Sequence, residues 1–207
     1  MAKIIYLRNK TMNTQPETAP AYSDLELKER TAKLVKEYNI CKIYETGTYY
    51  GKSSNILTNM FSDVKIFSYE LNNEFFNIAK SNNINNKNVT LKKLNSPDGL
   101  IEDVTPGENN VLFFLDAHWG DYWPILDELR AIKSKNIKPC IIIHDFYVPN
   151  DNNTGARFPY DAYKGQPLSL DYIKNDLISI YGENNFQYAY AKAPTLNTGV
   201  IYIIPAP

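Results

Sequence analysis

The sequence predicts an α/β fold: a seven-stranded, mostly parallel sheet with helices on both faces and a C-terminal antiparallel hairpin. Three observations lead there. Short apolar runs alternate with amphipathic helical patterns from residue 41 to residue 145, and strands alternating with helices imply a parallel sheet covered on both sides. The last two strand patterns, near 185–191 and 198–204, are joined by a link holding Pro194 and Asn197; it is too short for a crossover helix, so the two strands pair antiparallel. The first apolar run leads into Glu45-Thr-Gly-Thr-Tyr-Tyr-Gly51 and a helical pattern. Such a strand, glycine turn and helix is where open α/β sheets hold ligands.

The elements follow in order. Residues 1–22 carry Pro16 and Pro20 and no periodicity, and are expected to form an N-terminal arm, with a single domain over 23–207. Ser23 and Asp24 can cap a helix running to about Tyr38, with Leu25, Leu27, Leu34 and Val35 as its apolar residues. The alternation then gives strand 41–45, helix 52–61, strand 64–70, helix 73–82 and strand 88–94. A short helix near 98–104, strand 110–116, helix 122–135 and strand 139–145 complete it. Residues 146–168 form a long loop, and helix 169–181 precedes the closing hairpin. Five βα units closed by such a hairpin match the class I methyltransferase arrangement better than a plain dinucleotide fold.

Composition excludes several function classes. The chain of 207 residues is 43% hydrophobic and 22% charged, ordinary for a globular protein large enough for a substantial core. A formal net charge of −1 gives no reason to expect nucleic acid or an anionic membrane as partner. No apolar stretch reaches membrane-spanning length and no signal peptide opens the chain, so a cytoplasmic protein is expected. Its partner is then a small-molecule substrate, with a homodimer allowed. Cys41 and Cys140 each open a strand and read as buried, unpaired thiols.

The glycine turn discriminates between ligands. Gly47-x-x-x-Gly51-Lys52-Ser53 has three residues between its glycines where a phosphate-binding P-loop needs four, and Thr46 stands one position earlier. The dinucleotide pattern fails as well, because Tyr49 stands where its second glycine belongs. What remains is Glu-x-Gly-x-x-x-Gly. A carboxylate two residues before the first glycine suits a ligand bearing an ammonium and a sulfonium better than a pyrophosphate, and S-adenosylmethionine fits that description. A nucleotide hydrolase with a degenerate P-loop is the rival enzyme, kept alive by the Walker B-like run ending at Asp116. A catalytically inactive, cofactor-binding regulatory protein is the rival from another class.

Further chemistry sits at the other strand ends. Glu70 ends the second strand, 23 residues after Gly47, where a carboxylate can accept both ribose hydroxyls of a nucleoside; it could equally be a surface acid or a cap. Asn95, Ser96 and Asp98 follow the third strand and could meet an adenine edge, or serve as turn and capping residues. The fourth strand runs into Asp116-Ala-His118-Trp119 and the fifth into His144-Asp145. Acids and imidazoles thus gather at neighbouring carboxyl ends. Asp116 and Asp145 could share a divalent cation such as Mg²⁺, and His118, His144 or Asp145 could do acid–base work. In the long loop, Tyr147, Arg157, Tyr160 and Tyr163 read as a substrate-side wall.

These residues resemble a known family. Glu45-Thr-Gly-Thr-Tyr-Tyr-Gly-Lys-Ser53 is similar to the glycine turn of the catechol and caffeoyl-CoA O-methyltransferases, Tyr69-Glu-Leu-Asn72 to their second-strand motif, and Phe114-Leu-Asp-Ala-His-Trp119 to their fourth-strand motif. The resemblance spans about residues 40–146 and implies the Rossmann-like class I methyltransferase fold. It implies that Glu45, Gly47, Tyr49, Gly51 and Ser53, with Thr48 in the same turn, hold the methionine part of S-adenosylmethionine. By the same token Glu70 holds the ribose, Asp116, His118 and Trp119 line the cofactor site, and Asp116 and Asp145 match carboxylate metal ligands. The chain departs from the pattern at Phe146, where the family has a further ligand, asparagine. It departs again at Gly120-Asp121, where the family has a lysine, and at the inserted Ala117. The expected function is S-adenosylmethionine-dependent methylation of a small-molecule hydroxyl, on a sugar or a secondary metabolite.

Overall fold

A computed structural model describes residues 19–118, 122–192 and 197–207. A 3₁₀ turn (Ala21–Ser23) precedes α1 (Leu25–Glu37). There follow β1 (Lys42–Thr46), α2 (Lys52–Met60), β2 (Lys65–Tyr69), α3 (Asn73–Asn82), β3 (Val89–Lys92) and α4 (Ser96–Asp103). Next come β4 (Val111–Leu115), α5 (Ile125–Ser134) and β5 (Cys140–Ile143). A small hairpin, β6 (Ala162–Tyr163) and β7 (Gln166–Pro167), leads to α6 (Leu170–Tyr181), β8 (Phe186–Tyr190) and β9 (Ile201–Pro205).

Seven strands form one sheet in the order β3-β2-β1-β4-β5-β9-β8. The first five are parallel, while β9 runs antiparallel to both β5 and β8. The order reverses between β1 and β4, which makes the crevice beyond their carboxyl ends the natural ligand site. The expected architecture is therefore present, with its closing hairpin.

Alternation along the strands explains the two core layers, since successive side chains point to opposite faces. Val111, Phe113 and Leu115 of β4 pack with Leu100 of α4, Leu129 and Ile132 of α5 and Ile173 and Leu177 of α6. Leu112 and Phe114 face the other way, onto Tyr22, Leu27 and Leu34 beside α1 and Leu57 of α2. Tyr44 of β1 is stacked between Phe67 and Phe113, at 5.2 and 5.1 Å. Three helices begin on the side-chain caps their sequences advertise: Asp24 for α1, Asn72 for α3 and Ser169 for α6.

Differences from the sequence expectation are local. The long loop contains the β6–β7 hairpin and a bridge between Pro149 and Ala156, because Lys164-Gly165 can take the positive φ a tight turn needs. Cys140 is buried, but Cys41 is exposed just ahead of β1, contrary to expectation. Most of the expected arm lies outside the described residues; of its last residues, Tyr22 is fully buried against Phe114. Among the described residues, no helix is long and apolar enough to cross a membrane.

Candidate functional site

The turn after β1 is built by hydrogen bonds to the end of β2. The amides of Gly47 and Thr48 both donate to the Tyr69 carbonyl, at 3.2 and 3.1 Å, and that of Gly51 donates to the Thr48 carbonyl at 2.8 Å. Tyr49, held at φ +51°, donates its amide to Glu70 Oε2 at 2.7 Å, and Glu70 Oε1 accepts from the Asn72 amide at 2.7 Å. Glu70 thus clamps the turn to β2. Both glycines have positive φ, and both are required by protein contacts: a Cβ on Gly47 would lie 2.6 Å from the Asp116 carbonyl oxygen, and one on Gly51 would lie 2.9 Å from Ala79. Close packing of the turn on β4 and α3 therefore fixes these glycines, beyond any approach of a ligand.

Beneath the turn lies a buried network. Glu45 accepts from the Ser54 and Ser68 hydroxyls, and Ser68 in turn bonds Thr48 Oγ1 at 2.6 Å. Burial raises the Glu45 carboxyl to about 7, against the pull of its two hydroxyl donors. Ser54, one residue beyond the Ser53 that sequence pointed to, is the serine that reaches Glu45; Ser53 is half-buried on the first turn of α2.

At the third strand end Asn95 is the N-cap position of α4, and its side chain makes no capping bond. Its Oδ1 is buried and finds no partner among the described residues. Asn95 and the neighbouring Pro97 and Asp98 line a groove of about 350 Å³ between α4 and α5. Ser96 instead donates to Glu128 Oε1 on α5. Glu128 is wholly buried, its Oε2 has no partner among the described residues, and burial raises its carboxyl to about 7.

The fourth and fifth strand ends converge as the sequence implied, with one addition. His144 Nδ1 lies 3.0 Å from Asp116 Oδ1 and 3.5 Å from Asp145 Oδ1. His118 Nδ1 lies 3.3 Å from Asp161 Oδ2. Asp161 comes from the long loop, anchored where its amide donates to the Asp145 carbonyl at 2.8 Å and its carbonyl accepts from Leu168 at 2.9 Å. These residues, with Glu128, Trp123 and Leu168, line a cavity of about 10 Å³, roughly the space of one water. Burial, then the nearby Asp145 carboxylate, raises Asp161 to about 6. The two carboxylates beside His144 outweigh its desolvation and hold its pKa well above the ordinary histidine value, while His144 draws Asp145 below the usual carboxylate range.

Of the loop residues singled out, Tyr147 and Tyr160 meet edge to face at 5.0 Å and Tyr163 approaches Trp123 at 5.9 Å. Arg157 lies over Phe158 and near Asp151. Trp119, Gly120 and Asp121 lie outside the described residues.

No protein-family model matches the chain, and neither does the sequence of any curated protein. Solved structures do. An O-methyltransferase from Bacillus cereus in complex with SAH superposes with a TM-score of 0.59 at 19% identity, over 88% of this chain and 81% of that one. The O-methyltransferase TomG from Streptomyces achromogenes, involved in tomaymycin synthesis and in complex with SAM, gives 0.60 at 15% identity, over 93% and 83%. A precorrin-6y C5,15-methyltransferase from Geobacter metallireducens GS-15 gives 0.56 at 13%, over 92% of each chain. The chain has the class I methyltransferase fold. Within that fold, the turn from Gly47 to Gly51, Glu70 and Asn95 occupy three successive strand ends on one side of the switch point, and the histidine–aspartate group occupies two on the other.

Sequence reasoning did not single out Asp161 or Glu128. Asp161 is 43 residues from His118 and sits in a loop read only for its aromatics. Glu128 carried a signal: with Ile125, Leu129 and Ile132 it falls on the i, i+3, i+4, i+7 stripe of α5, and an acid on an apolar stripe marks a polar group taken into the core.

Proposed function

We propose that the protein is an S-adenosylmethionine-dependent methyltransferase that methylates a hydroxyl of a small molecule, a sugar or a secondary metabolite. The observation that carries this reading is the turn after β1. Four of its amides, those of Gly47, Thr48, Tyr49 and Gly51, are committed to Tyr69, Glu70 and Thr48. A P-loop works by presenting successive free amides to phosphate, so this turn opposes the nucleotide hydrolase. Two further features fit the adenosine end of the proposed cofactor. Asn95 Oδ1 is a buried acceptor awaiting a donor, as an exocyclic amine would supply. Glu70 is fixed at the end of β2 by the amides of Tyr49 and Asn72, the position where a carboxylate meets the ribose hydroxyls of a nucleoside.

When bound, S-adenosylmethionine supplies a methyl group made electrophilic by its sulfonium. The chain's own task is to place and deprotonate the acceptor. Of the two histidines, His118 suits the base. Its side chain is 39% exposed at the crevice and Asp161 holds Nδ1, which leaves Nε2 to accept a proton from a hydroxyl. His144 is hemmed by two carboxylates that keep its proton, and Asp145, drawn low by His144, is a poor base. Tyr147, Tyr160 and Tyr163 offer aromatic faces to a ring-bearing acceptor.

The test is transfer of labelled methyl from S-adenosylmethionine to a panel of sugar and phenolic hydroxyls. His118→Gln should lower turnover by about 10²–10⁴, far more than it weakens S-adenosylhomocysteine binding. Turnover should also fall as pH drops through about 6, where Asp161 takes up a proton and ceases to orient His118. Cofactor bound by the wild type with no transfer to any acceptor would favour the regulatory protein.

A further inference from the structure

The resemblance to the catechol and caffeoyl-CoA O-methyltransferases implies a divalent cation between Asp116 and Asp145, and the residues here fit it poorly. His144 already stands against both carboxylates through one nitrogen, Nδ1. A bare lone pair there would face the lone pairs of two oxygens, so the geometry requires a proton on Nδ1, and a nitrogen carrying a proton cannot ligate a metal. The ring is closely surrounded: the side chain is only 15% exposed, and the Phe114 ring lies 6.0 Å from it. Mg²⁺ asks for near-octahedral oxygen ligation. The next residue, Phe146, is wholly buried in the core and offers no oxygen from its side chain. Among the described residues, two sets of three side chains approach within 4.8 Å, Asp116–His144–Asp145 and His118–Asp145–Asp161, and each includes an imidazole, which Mg²⁺ does not favour.

We infer that His144 closes this crevice to a metal: its imidazole bridges Asp116 and Asp145 through Nδ1 and occupies the place a divalent ion would need, so the site works without a metal. One imidazole N–H thus serves two carboxylates on the floor of the crevice, and removal of that donor leaves buried acceptors uncompensated. The inference rests on the methyltransferase reading for its functional meaning, but its test does not.

Thermal melting of the purified protein with EDTA, and with millimolar Mn²⁺ as probe, decides the matter. The wild type should melt at one temperature in all conditions. His144→Ala should melt lower by about 10 °C, because two carboxylates are left facing each other, and Mn²⁺ should then stabilise the variant. His144→Gln, which keeps the volume and adds an oxygen, is the companion variant should the alanine fail to fold. Mn²⁺ stabilising the wild type while His144 variants no longer respond would overturn the inference, since His144 would then be a ligand. A His144→Ala protein as stable as wild type would overturn it too. In parallel, S-adenosylhomocysteine affinity of the wild type should be indifferent to EDTA. No binding in any condition would count against the cofactor reading alone, while the Mn²⁺ melts still decide the role of His144.

Discussion

Glu128 is an acid on the apolar stripe of α5, fully buried, with the Ser96 hydroxyl on one oxygen and the Thr46 hydroxyl close by. Its pKa, raised by burial to about 7, means that the folded protein holds a proton that the unfolded chain releases near 4.5. That contribution to stability is complete below pH 4.5 and is lost as pH rises through about 7. Glu128→Gln keeps an acceptor for Ser96 and removes the ionisation, so it should stabilise the protein at pH 8 by on the order of 3 kcal/mol and leave it nearly unchanged at pH 4. Denaturant melts at the two pH values check this. Gly47→Val belongs to the same scale: positive φ and a carbonyl 2.6 Å from the new Cβ should destabilise the turn by a few kcal/mol and abolish S-adenosylhomocysteine binding, read by calorimetry. Local spacing put Gly47, Gly51, Glu70, Asp116 and Asp145 at the strand ends where the structure has them. The partner of His118 was not, because Asp161 becomes its neighbour only when the long loop folds back onto Asp145.

At the level of elements, periodicity placed every strand of the main sheet and every helix, and missed chiefly at their ends. The fourth helix starts at Ser96, earlier than expected, because Pro97 can occupy a first-turn position without losing a helical bond. Strands read as reaching 41, 64 and 139 begin one residue later, since a residue continues an apolar run whether or not its backbone is paired. Only three-dimensional contact revealed what holds the long loop to the hairpin. The Phe146 amide donates to Gly199 O at 2.8 Å, Gly199 donates to Pro159 O at 3.0 Å, and a Cβ on Gly199 would stand 2.0 Å from the Phe146 carbonyl oxygen. Gly199→Ala should therefore push β9 from the loop that carries Asp161. The expected cost is about 1–3 kcal/mol, with a lower melting temperature and faster proteolysis between 146 and 168.

Over the whole molecule, the sheet order β3-β2-β1-β4-β5-β9-β8 brings five strand ends to one crevice. That order followed from alternation and a short final connection, both of which are local properties of sequence. The division of labour across the crevice was less legible, because hydrogen bonds that commit the amides of residues 47–51, or hem His144 between Asp116 and Asp145, are relations between distant residues. The central claim is that this turn serves S-adenosylmethionine and not a nucleoside triphosphate. Calorimetric titration of the purified protein with S-adenosylhomocysteine, beside ATP with Mg²⁺, tests it most directly. Binding of S-adenosylhomocysteine, lost in Glu70→Ala, with no heat from ATP, is the expected result. Binding of ATP without S-adenosylhomocysteine would contradict the claim and return the turn to phosphate.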